Sequence, residues 1–217
     1  DSLNLPETDA NKELERRFSR KQTINHNAHY TFNDPAGRYF QQFCRIREKG
    51  LKELCKVSEF PTGADKYDDI SDTLYYINGH NCTGGVRVTV TDGALILPSE
   101  NEEFRFNQVF PQLPWDEVKY GEISKLSVMP EFRHMAYNEE AKELLLEKAK
   151  ERGAEFLFLT AMPTHIRAYR LLFHKSGFKS VANTDFPTPS KGIYNNVLLH
   201  TMLIDLTEEG KFVALYK

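Results

Sequence analysis

The chain has 217 residues, of which 40% are hydrophobic and 27% charged, as in globular rather than disordered proteins. Its 28 Lys and Arg against 31 Asp and Glu give a net charge of -3, which argues against a nucleic-acid-binding protein. No apolar run approaches the ~20 residues that span a bilayer, so we expect no transmembrane segment. Three cysteines without a C-x-x-C pair, and no apolar signal segment, predict reduced thiols and a cytoplasmic location.

The N-terminal part of the chain is polar. We interpret residues 1–35 as a solvated or partly helical arm that precedes a single domain over residues 36–217. Apolar residues at helical spacing predict a helix from about Pro35 to Cys55, and Gly50 could divide it into two shorter helices.

Three strands are predicted next. Thr73–Ile77 and Gly85–Val90 flank the turn signal Asn78–Asn81 and read as neighbouring strands. After a proline-rich loop, Tyr120–Met129 reads as a third strand that Pro130 ends.

The last third of the chain alternates between helical and strand patterns. Glu139–Arg152 and Ile166–Lys175 are amphipathic and predict helices, and Phe156–Met162 and Val197–Leu206 predict strands. The strand Tyr120–Met129, the helix Glu139–Arg152 and the strand Phe156–Met162, in this order, indicate a crossover onto a parallel neighbour. We therefore predict an α/β (α+β) fold in which helices flank a mixed central sheet.

This order of elements resembles the GCN5-related N-acyltransferases, from Tyr39 to Leu206. Ser127–Arg133 resembles the segment that leads into that family's phosphate-binding turn, and Phe173–Phe178 resembles its common aromatic and Gly-Phe ending. The following turn, Arg133–Asn138, contains no glycine, although coenzyme A enzymes of the family usually grip a pyrophosphate with a glycine-rich turn. The phosphopantetheine of an acyl carrier protein has a single phosphodiester and no nucleotide, so it depends less on a glycine-rich turn. The turn Arg133–Asn138 also fits a diverged coenzyme A site.

A more specific resemblance is to the N-acyl amino acid synthases and N-acyl homoserine lactone synthases of this superfamily. Five features stand in the order those enzymes have them: Arg47 in the first helix, with Arg45 as a second candidate; the D-x-x-D loop Asp65–Asp68; the strand end Gly84–Arg87; the V-F-P-x-L loop Val109–Leu113; and Glu122–Lys125 in place of E-x-S-R. The lactone synthases usually carry a Trp after the first Arg, and none stands there in this chain. The resemblance thus favours an amino acid or amine acceptor over S-adenosylmethionine.

The resemblance implies roles for residues on the third predicted strand. Glu122 is the candidate base for the acceptor ammonium, and Ser124 lies on the same strand face and would hold a water or the carboxylate. Main-chain N–H groups from Ser124 to Val128 would polarise the thioester carbonyl. Glu122 could instead pair only with Lys125 or Arg87.

The resemblance also implies binding roles, and it leaves alternatives. Arg47 and Arg87 would either clamp the acceptor carboxylate or build a structural ion-pair net with Asp65, Asp68 and Glu122, and Asp68 could instead bind the acceptor ammonium. Acceptor contacts are also expected from Asp65 and Lys125, with Phe110 over the pocket or simply in the core. Phosphopantetheine and acyl contacts are expected from Met129, Arg133, His134, Met135, Ala136 and Phe173. Many relatives carry a Tyr at the position of Phe173 that protonates the leaving thiolate, and Tyr169 could substitute for it or pack in the core.

Further expectations concern the acyl chain and the carrier protein. An apolar tunnel, or ordinary core, could be formed by Phe156, Leu157, Phe158, Met162, Leu171, Leu172 and Phe173. An acidic carrier protein could dock on Arg133, His134, Lys142, Lys148, Lys150 and Arg152, or on Arg16, Arg17, Arg20 and Lys21.

The predicted activity is transfer of a fatty acyl group from acyl carrier protein, or from acyl-coenzyme A, to a small-molecule amine. We expect no tightly bound cofactor and no metal. Three alternatives remain: homoserine lactone synthesis, a coenzyme A-dependent acetyltransferase, and a non-enzymatic module that binds acyl ligands.

Overall fold

A computed structural model describes residues 28–55, 63–92, 95–101, 104–175, 179–188 and 199–216. The strands are β1 (Ala28–Thr31), β2 (Asp72–Asn78), β3 (Asn81–Val90), β4 (Tyr120–Val128), β5 (Phe156–Ala161), β6 (Lys179–Thr188) and β7 (Leu199–Asp205). The helices are α1 (Arg38–Cys55), α2 (Pro98–Asn101), α3 (Phe106–Val109), α4 (Glu139–Glu151) and α5 (Pro163–Lys175), with 3₁₀ turns at Pro35–Gly37, Asp68–Ile70, Pro130–Tyr137 and Val213–Tyr216. None of these helices is long and apolar enough to cross a membrane.

The seven strands form one sheet in the order β1-β2-β3-β4-β5-β7-β6. Among the strands that the structure describes, β4 and β5 are the one parallel pair, and α4 connects them. A parallel pair needs such a crossover, because its second strand must start at the same edge as the first. The predicted mixed sheet flanked by helices, including this crossover, is confirmed.

Two of the strands were missed from the sequence. Ala28–Thr31 belongs to the expected arm but pairs with β2, where the ring of Tyr30 meets that of Tyr76 edge to face at 5.2 Å. Local sequence cannot reveal such a partner 46 residues away. The other missed strand is β6. The prediction of a solvated or partly helical arm also covers residues 1–27, which lie outside the described part of the chain.

The first helix is continuous, so the predicted division at Gly50 is wrong. Gly50 is exposed near the C-terminal end of α1, where its helical conformation costs about 1 kcal/mol relative to alanine. The residues around it, including the buried Leu51, pack against the sheet and outweigh that cost.

The sheet separates two cores, because successive side chains of a strand point to opposite faces. On one face, α4 and α5 pack over Leu157 and Leu159 of β5. On the other, Phe156 and Phe158 pack in an aromatic cluster with residues of the segment 104–120. Helix α1 covers the same second face further along, beside Tyr75 and Ile77 of β2.

Strands β4 and β5 part before either one ends. Their ladder stops at the pair Ile123 and Leu159, whereas β4 runs on to Val128 and β5 stays paired with β7 as far as Ala161. Just past that point the β3–β4 register shifts, and Lys125 has a φ of +57°. We call the opening beyond Ile123 and Leu159 the fork.

Gly84 lets β3 approach the end of β4 closely. A Cβ at this position would lie 2.8 Å from the carbonyl oxygen of Ser127 and 2.9 Å from the Cα of Val128. Backbone atoms cannot rotate away, so Gly84→Ala must push the strands apart and should lower the free energy of unfolding by about 1–3 kcal/mol. Chemical denaturation followed by circular dichroism measures this change.

A matched control is Gly50→Ala. The nearest atom to a Cβ there is the Ser127 hydroxyl oxygen at 3.9 Å, so this change should raise the free energy of unfolding by up to about 1 kcal/mol. Equal effects of the two substitutions would contradict the close approach at Gly84.

Candidate active site

Two buried arginines and two aspartates form an ion-pair network between α1, β3 and the turn before β2. Arg47 of α1 and Arg87 of β3 are 1% and 0% exposed. Both donate to Oδ1 of Asp68, from Nη1 atoms at 2.7 and 2.9 Å. Arg87 also donates to Oδ1 of Asp65 at 2.5 Å, and Arg47 reaches its Oδ2 at 3.4 Å.

The D-x-x-D segment orients its own carboxylates. The main-chain N–H of Asp65 donates to Oδ2 of Asp68 at 2.8 Å, and that of Tyr67 donates to Oδ1 of Asp65 at 2.9 Å. A main-chain bond from Asp68 to the Asp65 carbonyl closes the turn at 3.1 Å. The spacing of two residues thus lets each aspartate hold the turn and a guanidinium at once.

The network reaches solvent through Asp65 and Lys125, whose side chains are 30% and 18% exposed. Their Nζ and Oδ2 atoms lie 3.6 Å apart. The left-handed backbone at Lys125 brings its side chain to the face that Ser124 occupies, where Ser124 Oγ accepts from Arg87 Nε at 3.2 Å. Ser124, Lys125 and Asp65 therefore line the surface beside the fork.

Burial and the neighbouring charges shift the pKa values at this surface in both directions. Burial alone would raise the pKa of Asp65, but the hydrogen bond and charge of Arg87 and the charge of Lys125 outweigh it and lower that pKa. Burial lowers the pKa of Lys125, aided by Arg47 and Arg87 and opposed by Asp65. The stability contributed by Asp65 is present above its unfolded pKa and is lost as the pH falls through the folded one.

Glu122 lies on the same sheet face but is only 3% exposed. Ser99 binds both of its carboxylate oxygens, with its main-chain N–H donating to Oε2 at 2.9 Å and its hydroxyl to Oε1 at 2.6 Å. Burial raises the pKa of Glu122 to about 7, although the Ser99 bonds and the charge of Arg87 act to lower it. The carboxyl thus titrates near neutral pH.

Ser99 is a site residue that the sequence did not reveal. Pro98-Ser99-Glu100 carries a helix-start signal, and the chain does form a single turn, α2, there. That signal marks where the loop turns, whereas the contact with Glu122, 23 residues later, depends on how the loop folds back over β4.

On the opposite sheet face, a cavity of about 30 Å³ lies at the fork, which we call the fork cavity. Its walls are mostly apolar and include Leu126, Ala136 and Phe173. Tyr169 and Lys142 also line it, and both are at least nine-tenths buried.

The predicted site residues fall into separate groups. The structure brings together Arg47, Asp65, Asp68, Arg87, Ser124 and Lys125, with Glu122 beside them, and it places Ala136 and Phe173 in the fork cavity. Val128 pairs with Gly84 at the end of β4. Met129 and Arg133 are exposed and His134 is half-buried, around the turn that follows.

Phe110 and Met135 lie in the protein core instead. Phe110 is 1% exposed and stacks on Phe158 at a centroid distance of 5.6 Å. Met135 is 2% exposed, and its sulfur accepts from the Thr83 hydroxyl at 3.6 Å. The motif resemblance that marked these positions does not distinguish a residue of a binding pocket from a residue of the core.

The prediction of one apolar tunnel lined by all seven proposed residues is wrong. Phe156 and Phe158 pack in the aromatic cluster, whereas Leu157, Leu172 and Phe173 belong to the core under α4 and α5. The alternation of side chains along β5 puts the sheet between the two groups.

The predicted docking surface is also smaller than expected. Lys142 is buried in the fork cavity, Arg152 makes a two-point ion pair with Asp72 at 2.8 and 2.9 Å, and Lys148 pairs with Glu151. Arg133 and Lys150 are exposed. The alternative surface at Arg16, Arg17, Arg20 and Lys21 lies outside the described residues, as does the Gly177-Phe178 ending.

The described ranges contain no group of three or more His, Cys, Asp or Glu residues that could hold a metal ion.

The network leads to a prediction about stability. Asp68→Asn removes the charge that both buried guanidiniums share, and breaking a buried pair from one side typically costs about 3–5 kcal/mol. We expect a loss of about 3 kcal/mol, because Asp65 still contacts both arginines. Urea denaturation measures it.

The control is Lys52→Ala, which removes a partly exposed ion pair with Glu48 on the surface of α1. Such pairs contribute at most about 1 kcal/mol, so the free energy of unfolding should hardly change. A similarly small effect of Asp68→Asn would contradict the network's role in stability.

Solved structures similar to this one include three synthases. FeeM, an N-acyl amino acid synthase from uncultured soil microbes, is 16% identical over 83% of this chain and 91% of its own, with a TM-score of 0.52. LasI, an acyl-homoserine lactone synthase, is 13% identical over 86% and 91%, with a TM-score of 0.55. BjaI, a CoA-dependent acyl-homoserine lactone synthase solved with SAM and isopentyl-CoA, is 18% identical over 83% and 82%, with a TM-score of 0.58. These likenesses establish the fold.

A sequence comparison with curated proteins finds no match. The family model described as acetyltransferase (GNAT) family matches residues 65–178, which run from the D-x-x-D loop through the fork to three residues past the end of α5. The match covers more than half of the 217 residues. The chain therefore belongs to the acetyltransferase (GNAT) family.

Proposed function

We propose that the protein transfers a fatty acyl group from acyl carrier protein to the amine of an amino acid or a similar small acceptor. The observation that carries this proposal is the ion-pair network beside the fork, because it ends at a carboxylate and an ammonium 3.6 Å apart, Asp65 and Lys125. A free amino acid carries the complementary groups, an ammonium and a carboxylate, on one carbon atom. Transfer would take place in the cytoplasm, where thiols such as Cys44 and Cys82 stay reduced.

The acceptor would bind through the exposed end of the network. Lys125 would pair with its carboxylate and Asp65 with its ammonium, whereas Arg47 and Arg87 are too deeply buried to meet it first. The arginines would act by holding Asp65 in place and by keeping it ionised. Their burial favours an organisational role over a direct clamp on the substrate.

Glu122 is the proposed base. A carboxyl with a pKa of about 7 is close to an α-ammonium, whose reference pKa is ~7.7–8.0, so proton transfer between them is nearly balanced. Because Glu122 is buried, a water held by Ser124 would relay the proton from the acceptor. The neutral amine would then attack the thioester carbon, the C–S bond would break, and the proton that the new amide nitrogen loses would pass to the leaving thiolate.

The fork supplies the proposed site for the thioester. Beyond Ile123, main-chain N–H groups of Ser124–Val128 that face away from β3 would donate to the carbonyl oxygen as it gains negative charge. Donors fixed in a sheet need no reorganisation during the reaction, so they favour the tetrahedral intermediate over the planar substrate.

The turn after β4 supports carrier protein as the donor. Pro130–Tyr137 forms a 3₁₀ turn without glycine, and Pro130 offers no N–H group, which is poorly suited to cradling a pyrophosphate. One phosphodiester needs fewer donors, and the exposed Arg133 with Met129 and His134 beside it would suffice.

The activity test crosses two donors with two acceptors. The purified protein is incubated with an acyl carrier protein thioester or the coenzyme A thioester, and with an amino acid mixture or S-adenosylmethionine. Mass spectrometry should find N-acyl amino acids, formed faster from the carrier-protein donor.

Each other outcome contradicts a different part of the proposal. An acyl homoserine lactone would identify the protein as a lactone synthase, and faster transfer from coenzyme A would overturn the carrier-protein assignment. The absence of any acylated amine would favour a module that binds acyl ligands without turnover.

The raised pKa of Glu122 predicts a pH profile. The base acts in its deprotonated form, so kcat/KM should rise with pH up to about 7 from this group and level off above it. Glu122→Gln should lower kcat/KM by about 10²–10⁴-fold and remove this limb. The acceptor amine titrates in both proteins, so the ratio of the two profiles isolates Glu122.

Ser99→Ala tests the same assignment with a smaller change. It removes a hydroxyl that stabilises the carboxylate, so the limb assigned to Glu122 should move to higher pH. The exposed Glu117→Gln is the control and should leave the profile in place. An unshifted limb in both Ser99→Ala and Glu122→Gln would rule out Glu122 as the base.

A further inference from the structure

One of the residues that line the fork cavity is a tyrosine whose hydroxyl has no hydrogen-bond partner among the described residues. Tyr169 of α5 is 7% exposed, and its hydroxyl makes no hydrogen bond with the residues that the structure describes. Burial raises the pKa of Tyr169 well above its ordinary range, so the phenol remains a donor at neutral pH. A buried hydroxyl without a partner carries a free-energy cost that a bound acceptor would remove.

A second polar group lines the same cavity. Lys142 of α4 is 6% exposed, and its Nζ lies 5.8 Å from the centroid of the Phe173 ring, which also lines the cavity. Burial lowers the pKa of this amine. Whether protonated or neutral, a lysine amine can donate a hydrogen bond, so two side chains that line this mostly apolar cavity from different helices each carry a donor.

The position of the cavity ties it to the acyl donor. Leu126 lines it and belongs to the β4 segment that is proposed to hold the thioester carbonyl, while Ile123 and Leu159 mark the point where the strands part. The ion-pair network lies on the other sheet face. An acyl chain that enters the fork away from the acceptor would therefore meet this cavity first.

We propose that the fork cavity is a subsite for an oxygen substituent on the acyl chain, which accepts hydrogen bonds from the Tyr169 hydroxyl and the Lys142 amine. The inference rests on the proposed function and names its donor class: acyl thioesters with a hydroxyl, keto or carboxylate oxygen. The cavity, of about 30 Å³, lies at the fork beside the β4 segment that is proposed to hold the thioester carbonyl, which places that oxygen within a few carbons of the thioester.

A different role for Tyr169 would be to protonate the leaving thiolate. That role concerns the sulfur, which is common to every donor, so loss of the hydroxyl would slow all donors equally. Recognition of an acyl oxygen would instead penalise oxygenated donors alone. The ratio between two donors of equal chain length therefore distinguishes the two roles.

The test measures Kd and, in parallel, kcat/KM for carrier-protein and coenzyme A thioesters in matched sets: plain, hydroxy or keto, and terminal carboxylate. The wild-type protein should bind at least one oxygenated donor about tenfold more tightly than its plain counterpart, and Tyr169→Phe should abolish that preference. Lys142→Met should reduce it most for the carboxylate donor. The comparison of hydroxy, keto and carboxylate donors also identifies which oxygen is recognised.

The control is Tyr75→Phe, which removes a buried phenol hydroxyl on the opposite sheet face and should preserve the preference. An equal Kd for plain and oxygenated donors in the wild-type protein would overturn the inference, as would a preference that survives Tyr169→Phe. A uniform fall in kcat for all donors would assign Tyr169 to thiolate protonation. Because Kd needs no turnover, failure of acyl transfer leaves this result interpretable, whereas failure to bind any thioester overturns both proposals.

Discussion

Burial of two guanidinium groups is the constraint on which this site depends. Removing a charge from water is costly, and Arg47 and Arg87 are tolerated only because Asp65 and Asp68 accept from both of them. Those four side chains come from α1, β3 and one turn, so satisfying the charges also fixes how these three elements meet. The same contacts leave Asp65 partly exposed, which makes the outer edge of a structural network into a surface that can meet a substrate.

The parting of β4 and β5 gives the sheet a passage between its two faces. A continuous ladder with β5 would engage the main-chain N–H groups on that side of β4 in hydrogen bonds. The ladder stops at Ile123, however, while β4 continues along β3. The charged network lies on one face and the apolar fork cavity on the other. A polar acceptor and an apolar chain can thus approach the same main-chain segment from opposite sides without sharing a pocket.

The sequence predicted much of the fold, because the helices α4 and α5 and the strands β3 to β5 carry strong local periodicity. It failed where pairing depends on distant partners, as for β1, and where a surface pattern hid a buried side chain, as for Lys142. The residues of the network were predicted from motifs, which give order along the chain but no distances. Ser99 was missed because its contact with Glu122 arises from a loop path that no local signal specifies.

The backbone of Lys125 sets stability against activity at one residue. A non-glycine residue with a φ of +57° carries a strain of about 1–2 kcal/mol, so glycine would be the more stable choice for the chain. Glycine would also remove the amine that stands beside Asp65. Selection for thermal stability alone would therefore favour glycine at this position. Retention of lysine would indicate that its amine has a function.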